Sequence, residues 1–273
     1  VPADQARISI FDRGFLFADA IYEVSAVLGG RLVDNELHLA RLERSLAEIE
    51  LALPLPMERL RALQKELIAR NGVDEGVVYI QVSRGAAERD FLFPKDAPPT
   101  LVMFTQTKTI TNSPLARTGI AVKVVPDIRW GRRDIKSTNL LAQVLAKHAA
   151  AAEGCQEAWF VEDDVVTEGG SSSAFILTAE GVIVTRPRSH KILPGCTRAA
   201  LLDLLAEQDL RLEERPFTIA EALQASEAFM TSASNFVLPV VRIDGQPVGA
   251  GTPGPQALRF RELYTEHARR TAD

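Results

Sequence analysis

Apolar positions along the chain repeat first at the spacing of strands and then at that of helices. Residues 7–11 and 22–28 read as strands, and Gly29-Gly30 suits a tight hairpin turn into a short strand at 31–33. From Asp34, a fair N-cap, Leu39, Leu42, Leu46 and Ile49 recur at helical spacing until Pro54 stops the pattern. Leu60, Leu63 and Leu67 mark a second helix that ends near Gly72. Residues 77–83 and 101–106 are strand-like again. The polar stretch 107–118 has no apolar period, which makes it the expected linker, with a boundary near residue 113.

Beyond that stretch, 120–125, 158–161, 175–177 and 182–184 read as strands, interrupted by a helix over about 139–153. Further helices are expected to begin near Thr197, Ile219 and Pro255, with strands at 228–231 and 237–243. There is no internal repeat. The pattern predicts a two-domain chain of the α+β or α/β class: a smaller domain at 1–112, a linker at 113–118 and a larger domain at 119–273.

Composition narrows the partners. The 273 residues carry a net charge of −5, with basic and acidic residues interspersed, which argues against nucleic acid or an anionic membrane and for a small-molecule substrate. The two cysteines, Cys155 and Cys196, form no CxxC pair and no zinc-like cluster, so neither a disulfide framework nor a metal is expected. No apolar run approaches the length of a membrane span, and a reducing, cytoplasmic setting is expected. The chain opens at Val1 rather than Met, which is consistent with a few residues lost from its start.

The most informative region contains DIRWGRRDIKSTNLL and, further on, VVTEGGSSS. Lys136 is one of seven lysines against 24 arginines and lies between an apolar strand and an apolar helix. A desolvated lysine amine can form a Schiff base with an aldehyde and act as general acid and base. Spacing alone favours a surface lysine at a strand end. Glu168 stands in a turn-forming Thr-Glu-Gly-Gly-Ser stretch that would let a ligand approach the backbone; an exposed loop glutamate is the plainer alternative. Gly195, Cys196 and Thr197 precede a helical pattern, where free N–H groups favour a phosphate, and Thr-Ser-Ala-Ser at 231–234 offers the same after a strand. Arg41 falls on the polar side of the first helix, where a solvated or salt-bridged role is expected.

Six blocks in order, FDRGFLFADAIYEV, HLARL, DIRWGRRDIKSTNLL, VTEGGSSS, ILPGCTR and MTSAS, resemble the fold-type IV aminotransferases that use pyridoxal 5′-phosphate, and within them the D-amino acid branch. The resemblance covers almost the whole chain. It implies Lys136 as the Schiff-base lysine and proton shuttle, Glu168 as partner of the pyridine nitrogen, and Leu193 as the aliphatic residue against the ring. Arg41, Cys196, Thr197, Ser232 and Ala233 are implied at the cofactor phosphate, Ala233 only through its backbone N–H. Tyr22 and Arg89 match two parts of the branch's α-carboxylate clamp. Phe91 stands where that branch has a histidine, and Ser173 where an asparagine is common. The implied reaction is ping-pong transfer of the amino group of D-alanine or D-glutamate to a 2-oxo acid. Branched-chain L-amino acid or (R)-amine transamination, or an aminodeoxychorismate-type lyase reaction, is the alternative on the same fold. A homodimer with loops reaching into the partner's site is also implied.

Overall fold

The computed structural model describes residues 1–208 and 210–273. The expected first strand is absent: 6–9 have no regular structure, because no neighbouring strand is there to take their hydrogen bonds. Asp12 instead caps a short helix, α1 (Arg13–Phe17), by accepting the Gly14 N–H at 2.9 Å. β1 (Ala20–Leu28) and β2 (Arg31–Leu32) form the predicted hairpin, with φ of 57° and 70° at Gly29 and Gly30, the paired positive values that a two-residue primed turn requires. With β3 (Glu75–Ser83) and β4 (Thr100–Thr107) they make an antiparallel sheet in the order β2-β1-β3-β4.

Two helices, α2 (Asn35–Glu48) and α3 (Met57–Asn71), cover one face of this sheet. Leu39, Leu42 and Leu46 are buried at the predicted spacing against Val78, Ile80 and Val82. In α3 the buried face is Leu60, Gln64 and Ile68, while Leu63 and Leu67 are only half-buried. The polar Gln64 turns inward because its amide exchanges two hydrogen bonds with Asn35, at 2.9 and 3.0 Å.

The expected linker contains a short helix, α4 (Pro114–Thr118), and a second sheet begins after it. Its strands are β5 (Ile120–Pro126), β6 (Glu157–Glu162), β7 (Val165–Gly169), β8 (Ser173–Leu177), β9 (Ile183–Thr185), β10 (Leu212–Glu214), β11 (Glu227–Ser232), β12 (Phe236–Ile243) and β13 (Gln246–Pro247). They follow the order β10-β9-β8-β11-β12-β5-β6-β7, with β13 added on β12. The β10/β9, β12/β5 and β5/β6 pairs are parallel and the rest antiparallel. The helices here are α5 (Leu141–Ala152), α6 (Cys196–Ala206), α7 (Ile219–Gln224) and α8 (Pro255–Thr271).

One apolar cluster joins the two sheets. Ala26, Leu28 and Val77 of the first pack with Phe175, Phe229 and Phe236 of the second, and α6 and α8 contribute Leu201 and Phe260. Two polar devices reinforce the seam. β2 pairs only with the far end of β1, at Val27 and Leu28, and leaves the near end with an open edge. Residues 136–138 fill it: Tyr22 donates its N–H to the Lys136 carbonyl and Thr138 donates to Ala20, both at 3.0 Å. The second device is Arg261 of α8, whose buried guanidinium donates to the carbonyls of Ile110, Thr111, Asn235 and Val237.

Arg261 thus ties the connection between the sheets to the β11–β12 turn. Replacing it with methionine leaves buried carbonyls without donors, each costing about 1–3 kcal/mol. Arg261→Met is expected to lower unfolding free energy by about 3 kcal/mol or more, read from urea denaturation.

Candidate active site

The filled edge of β1 brings Lys136 into a cavity at the seam. Its backbone is pinned on one side by Tyr22, and its N–H points to Ser45 Oγ of α2 at 3.4 Å. The ammonium lies 4.1 Å from the centre of the Tyr22 ring, which also lines the cavity. Lys136 is half-buried, which departs from the surface lysine that spacing alone favoured.

Glu168 is the fourth residue of β7 and is 5% exposed, so it is a buried strand residue and not a loop glutamate. Its carboxylate accepts the Leu193 N–H at 3.1 and 3.2 Å and Arg129 Nη1 at 2.5 Å. Arg129 is itself gripped by Asp127, with Nε and Nη2 donating at 2.9 and 2.7 Å. Burial pushes the Glu168 carboxyl above its ordinary range, and the Arg129 charge and the Leu193 N–H pull against that rise. Arg129 and Asp127 do not stand out in the sequence, although both belong to the DIRW run beside Lys136; only the fold brings them to Glu168.

The first turn of α6 lines the cavity too. Gly195 is the N-cap and supplies no side-chain cap, so the first-turn N–H groups of Cys196 and Thr197, both lining residues, have no partner within the helix. Gly195 has no room for a side chain, because a Cβ would stand 2.8 Å from Ser173 Oγ. The hydroxyls of Thr197 and Thr231 are buried without a hydrogen-bond partner. Ser232 and Ala233 complete this wall, and Leu193 lines the cavity next to Glu168.

Arg41 does not lie on a solvated helix face. It is 8% exposed and donates Nε and Nη2 to Glu23 at 2.7 and 2.8 Å, and Nη1 to the Pro194 carbonyl at 2.8 Å. Glu23 projects from β1 into the α2 interface and is fully buried, which the alternation of β1 did not reveal; it also binds His38 Nδ1 at 2.8 Å. Arg41 and His38 hold the Glu23 carboxyl well below the usual carboxylate range despite burial. Burial opposes a charge on His38, but Cys196 and Glu23 outweigh it and raise the imidazole to about 9.

Two predicted residues are not brought to the cavity. Arg89 is exposed, with its guanidinium 5.4 Å from the Phe17 ring and 5.6 Å from that of Phe91, and Phe91 is 77% exposed. Neither lines the cavity with Tyr22, so within one chain the three do not form the expected clamp. Their loop is fastened elsewhere: Arg13 donates to the Asp90 carbonyl at 2.6 Å, and Arg84 lies 3.6 Å over the Phe93 ring.

Known proteins share this fold. Residues 20–243 match the family model for amino-transferase class IV. The chain is a class IV aminotransferase. It is 37% identical over 268 residues to a D-alanine aminotransferase of Staphylococcus aureus (strain MSSA476), covering 98% of this chain and 94% of that one. To a D-alanine aminotransferase of Bacillus licheniformis it is 38% identical over 251 residues, covering 92% and 88%. Among solved structures, the Escherichia coli branched-chain amino acid aminotransferase superposes with a TM-score of 0.90 at 19% identity, over 98% of this chain and 91% of that one. The branched-chain amino acid aminotransferase of T.th., solved with pyridoxamine 5′-phosphate, gives the same score at 24% identity and the same coverage. Both likenesses concern the fold.

An aminotransferase of this class works with pyridoxal 5′-phosphate, and the cavity fits it. The unpartnered Thr197 and Thr231 hydroxyls and the open first turn of α6 are a donor set for a phosphate. At the other side, a buried carboxylate beside Arg129 suits a protonated ring nitrogen.

The Glu23–His38–Arg41 cluster has a pH signature. His38 binds its proton more tightly folded than unfolded, so its stabilisation is complete below pH 6.5 and is lost as pH rises through about 9. The cofactor-free protein is expected to lose melting temperature over that interval, and His38→Gln to flatten the profile. An equally steep decline in the variant would contradict the assignment.

Proposed function

We propose that this aminotransferase moves the amino group of a D-amino acid, with D-alanine or D-glutamate as donor, to a 2-oxo acid. The observation that carries the reading is the convergence of Lys136, Glu168 and the α6 N-terminus on one cavity, in a chain over a third identical to D-alanine aminotransferases.

When bound, pyridoxal phosphate supplies an aldehyde that takes up the amino group and a protonated ring that draws electrons from the substrate Cα. Lys136 would hold the cofactor covalently through Nζ, and its amine, once free, would serve as the base and acid that moves the substrate Cα proton. Glu168 would partner the ring nitrogen, and Arg129, oriented by Asp127, pulls against the burial that raises the Glu168 carboxyl. Leu193 would line the ring, and the N–H groups of Cys196 and Thr197, Ser232, the Ala233 N–H and the charge of Arg41 would hold the phosphate. Tyr22 bounds the substrate side next to Lys136. A second oxo acid reverses the steps, which makes the kinetics ping-pong.

In this reading Arg89 and Phe91 serve a neighbouring site. Their loop is apolar and exposed, with Phe91 and Leu92 at 77% and 76%, and Phe15 beside it at 74%, which supports a homodimer in which the loop enters the partner's cavity. The two sheets then correspond to domains 1–112 and 119–273, joined through 113–118. Two free cysteines suit a cytoplasmic protein. Among the described residues, no helix is long and apolar enough to cross a membrane.

The test uses cofactor-loaded protein without an oxo acid acceptor. D-alanine is expected to bleach the visible cofactor absorbance and release pyruvate, while L-alanine does neither. Bleaching by L-leucine or by a simple (R)-amine, with D-alanine inert, would move the assignment to the other transaminases of this fold. Lys136→Ala is expected to slow the D-alanine reaction at least ~100-fold, the scale of a lost general acid and base.

A further inference from the structure

One nucleophile at the cavity has no part in the transaminase chemistry. Cys196 opens α6 and lines the cavity together with His38 and Arg41 of α2. Only its backbone N–H serves the cofactor in the reading above, and its thiol is free. The charged groups around that thiol are His38, Arg41 and Glu23. The Tyr264 hydroxyl of α8 is also near, and it donates to Asp34 at 2.6 Å.

This cluster is short of negative charge. Among the described residues, Glu23 is the only carboxylate paired with either cation. Its Oε1 accepts Arg41 Nε at 2.7 Å, and its Oε2 meets both Arg41 Nη2 and His38 Nδ1 at 2.8 Å. Arg41 Nη1 ends on a neutral carbonyl, that of Pro194, and the second nitrogen of His38 is left for Cys196. With His38 protonated the cluster carries one positive charge too many, and an anion at Cys196 completes it. Burial raises the Cys196 thiol, but His38 and Arg41 outweigh it and bring the thiol below its ordinary value. Cys155 has the opposite setting, where burial, Glu153 and Asp244 all raise the thiol. A cofactor phosphate is the other anion that answers the same two cations, so thiolate and phosphate are alternatives.

We propose that Cys196 is a peroxide-reactive thiol that the cofactor phosphate shields, and that its oxidation in the cofactor-free protein bars the cofactor from the cavity. This rests on the proposed function only for the seat of the phosphate, whatever the amino donor. The thiolate sulfur attacks one oxygen of hydrogen peroxide, and the S–O bond forms as the O–O bond breaks. The departing hydroxide takes the proton held by His38 and leaves as water, so sulfur is oxidised to a sulfenic acid and the peroxide is reduced. Hydrogen peroxide is close to water in size, which lets it reach a side chain that is 6% exposed on a cavity wall. The added oxygen finds little room beside the helix start: a Cβ on Gly195 would already stand 2.8 Å from Ser173 Oγ and 3.2 Å from Arg198 Cβ. It therefore extends into the space in front of the first-turn N–H groups, where the phosphate would sit.

The test treats cofactor-free and cofactor-loaded protein with hydrogen peroxide at neutral pH, traps sulfenic acid with dimedone and maps the adducts by mass spectrometry. Cys196 is expected to carry the adduct in the cofactor-free protein and at least ~10-fold less of it in the loaded one, while Cys155 differs little between the two. Peroxide is also expected to raise the Kd for pyridoxal phosphate about tenfold, read by absorbance titration, and dithiothreitol to restore it. In Cys196→Ala, treated and untreated protein are expected to bind alike, and His38→Gln to slow adduct formation on Cys196 about tenfold. Adducts on Cys155 alone or on neither cysteine would overturn the proposal, as would oxidised Cys196 in a protein that binds the cofactor unchanged. An adduct equally abundant with the cofactor visibly bound would overturn it together with the seat of the phosphate. A shielded Cys196 in a protein that transaminates no amino acid would sink the parent reading alone.

Discussion

The hydrogen bonds that residues 136–138 make along the open edge of β1 are the constraint on which the site depends. A strand edge at a buried seam cannot leave its N–H and C=O groups unpaired, and β2 is too short to cover it. The segment that fills the edge comes from the far side of the connection between the sheets, so satisfying β1 and delivering Lys136 to Tyr22 are one event. The mixed apolar cluster and the four carbonyls bound by Arg261 hold the sheets at the spacing this requires.

Charge is organised around that seam in buried groups with their counter-charges. Glu23 sits between Arg41 and His38, and Glu168 ends a chain that runs through Arg129, Asp127, Arg133 and Glu162 to Lys191 near the surface. Each buried carboxylate would be costly alone and becomes a fixed negative point when paired. This is how a site rich in arginine presents a negative charge at one wall and open N–H donors at the other.

Much of this was legible in the chain, but unevenly. Gly29-Gly30 announced a hairpin because few other pairs tolerate two positive φ values, and Leu39, Leu42 and Leu46 announced a helix face because burial there is purely apolar. The α3 face departs from its apolar period because Gln64 is buried by a partner, Asn35, 29 residues away. Residues 7–11 have strand composition without a strand to join, and β7 is too short for a period to show. Lys136 and Glu168 emerged from ordered motifs, not from spacing, since each alone looked like an exposed residue. Arg129 and Glu23 act through tertiary ion pairs that no local pattern encodes. Arg89 and Phe91 were matched by motif to the clamp, yet their side chains pack on α1 and not in the cavity of their own chain.

The proposed function requires that Lys136 hold the cofactor at the seam. The most direct measurement is borohydride reduction of the cofactor-loaded protein, followed by peptide mapping by mass spectrometry. A single reduced adduct is expected, on Lys136, which a Glu168→Gln variant still forms but with weaker cofactor retention. An adduct on another lysine, or none on a protein that nevertheless transaminates, would contradict it.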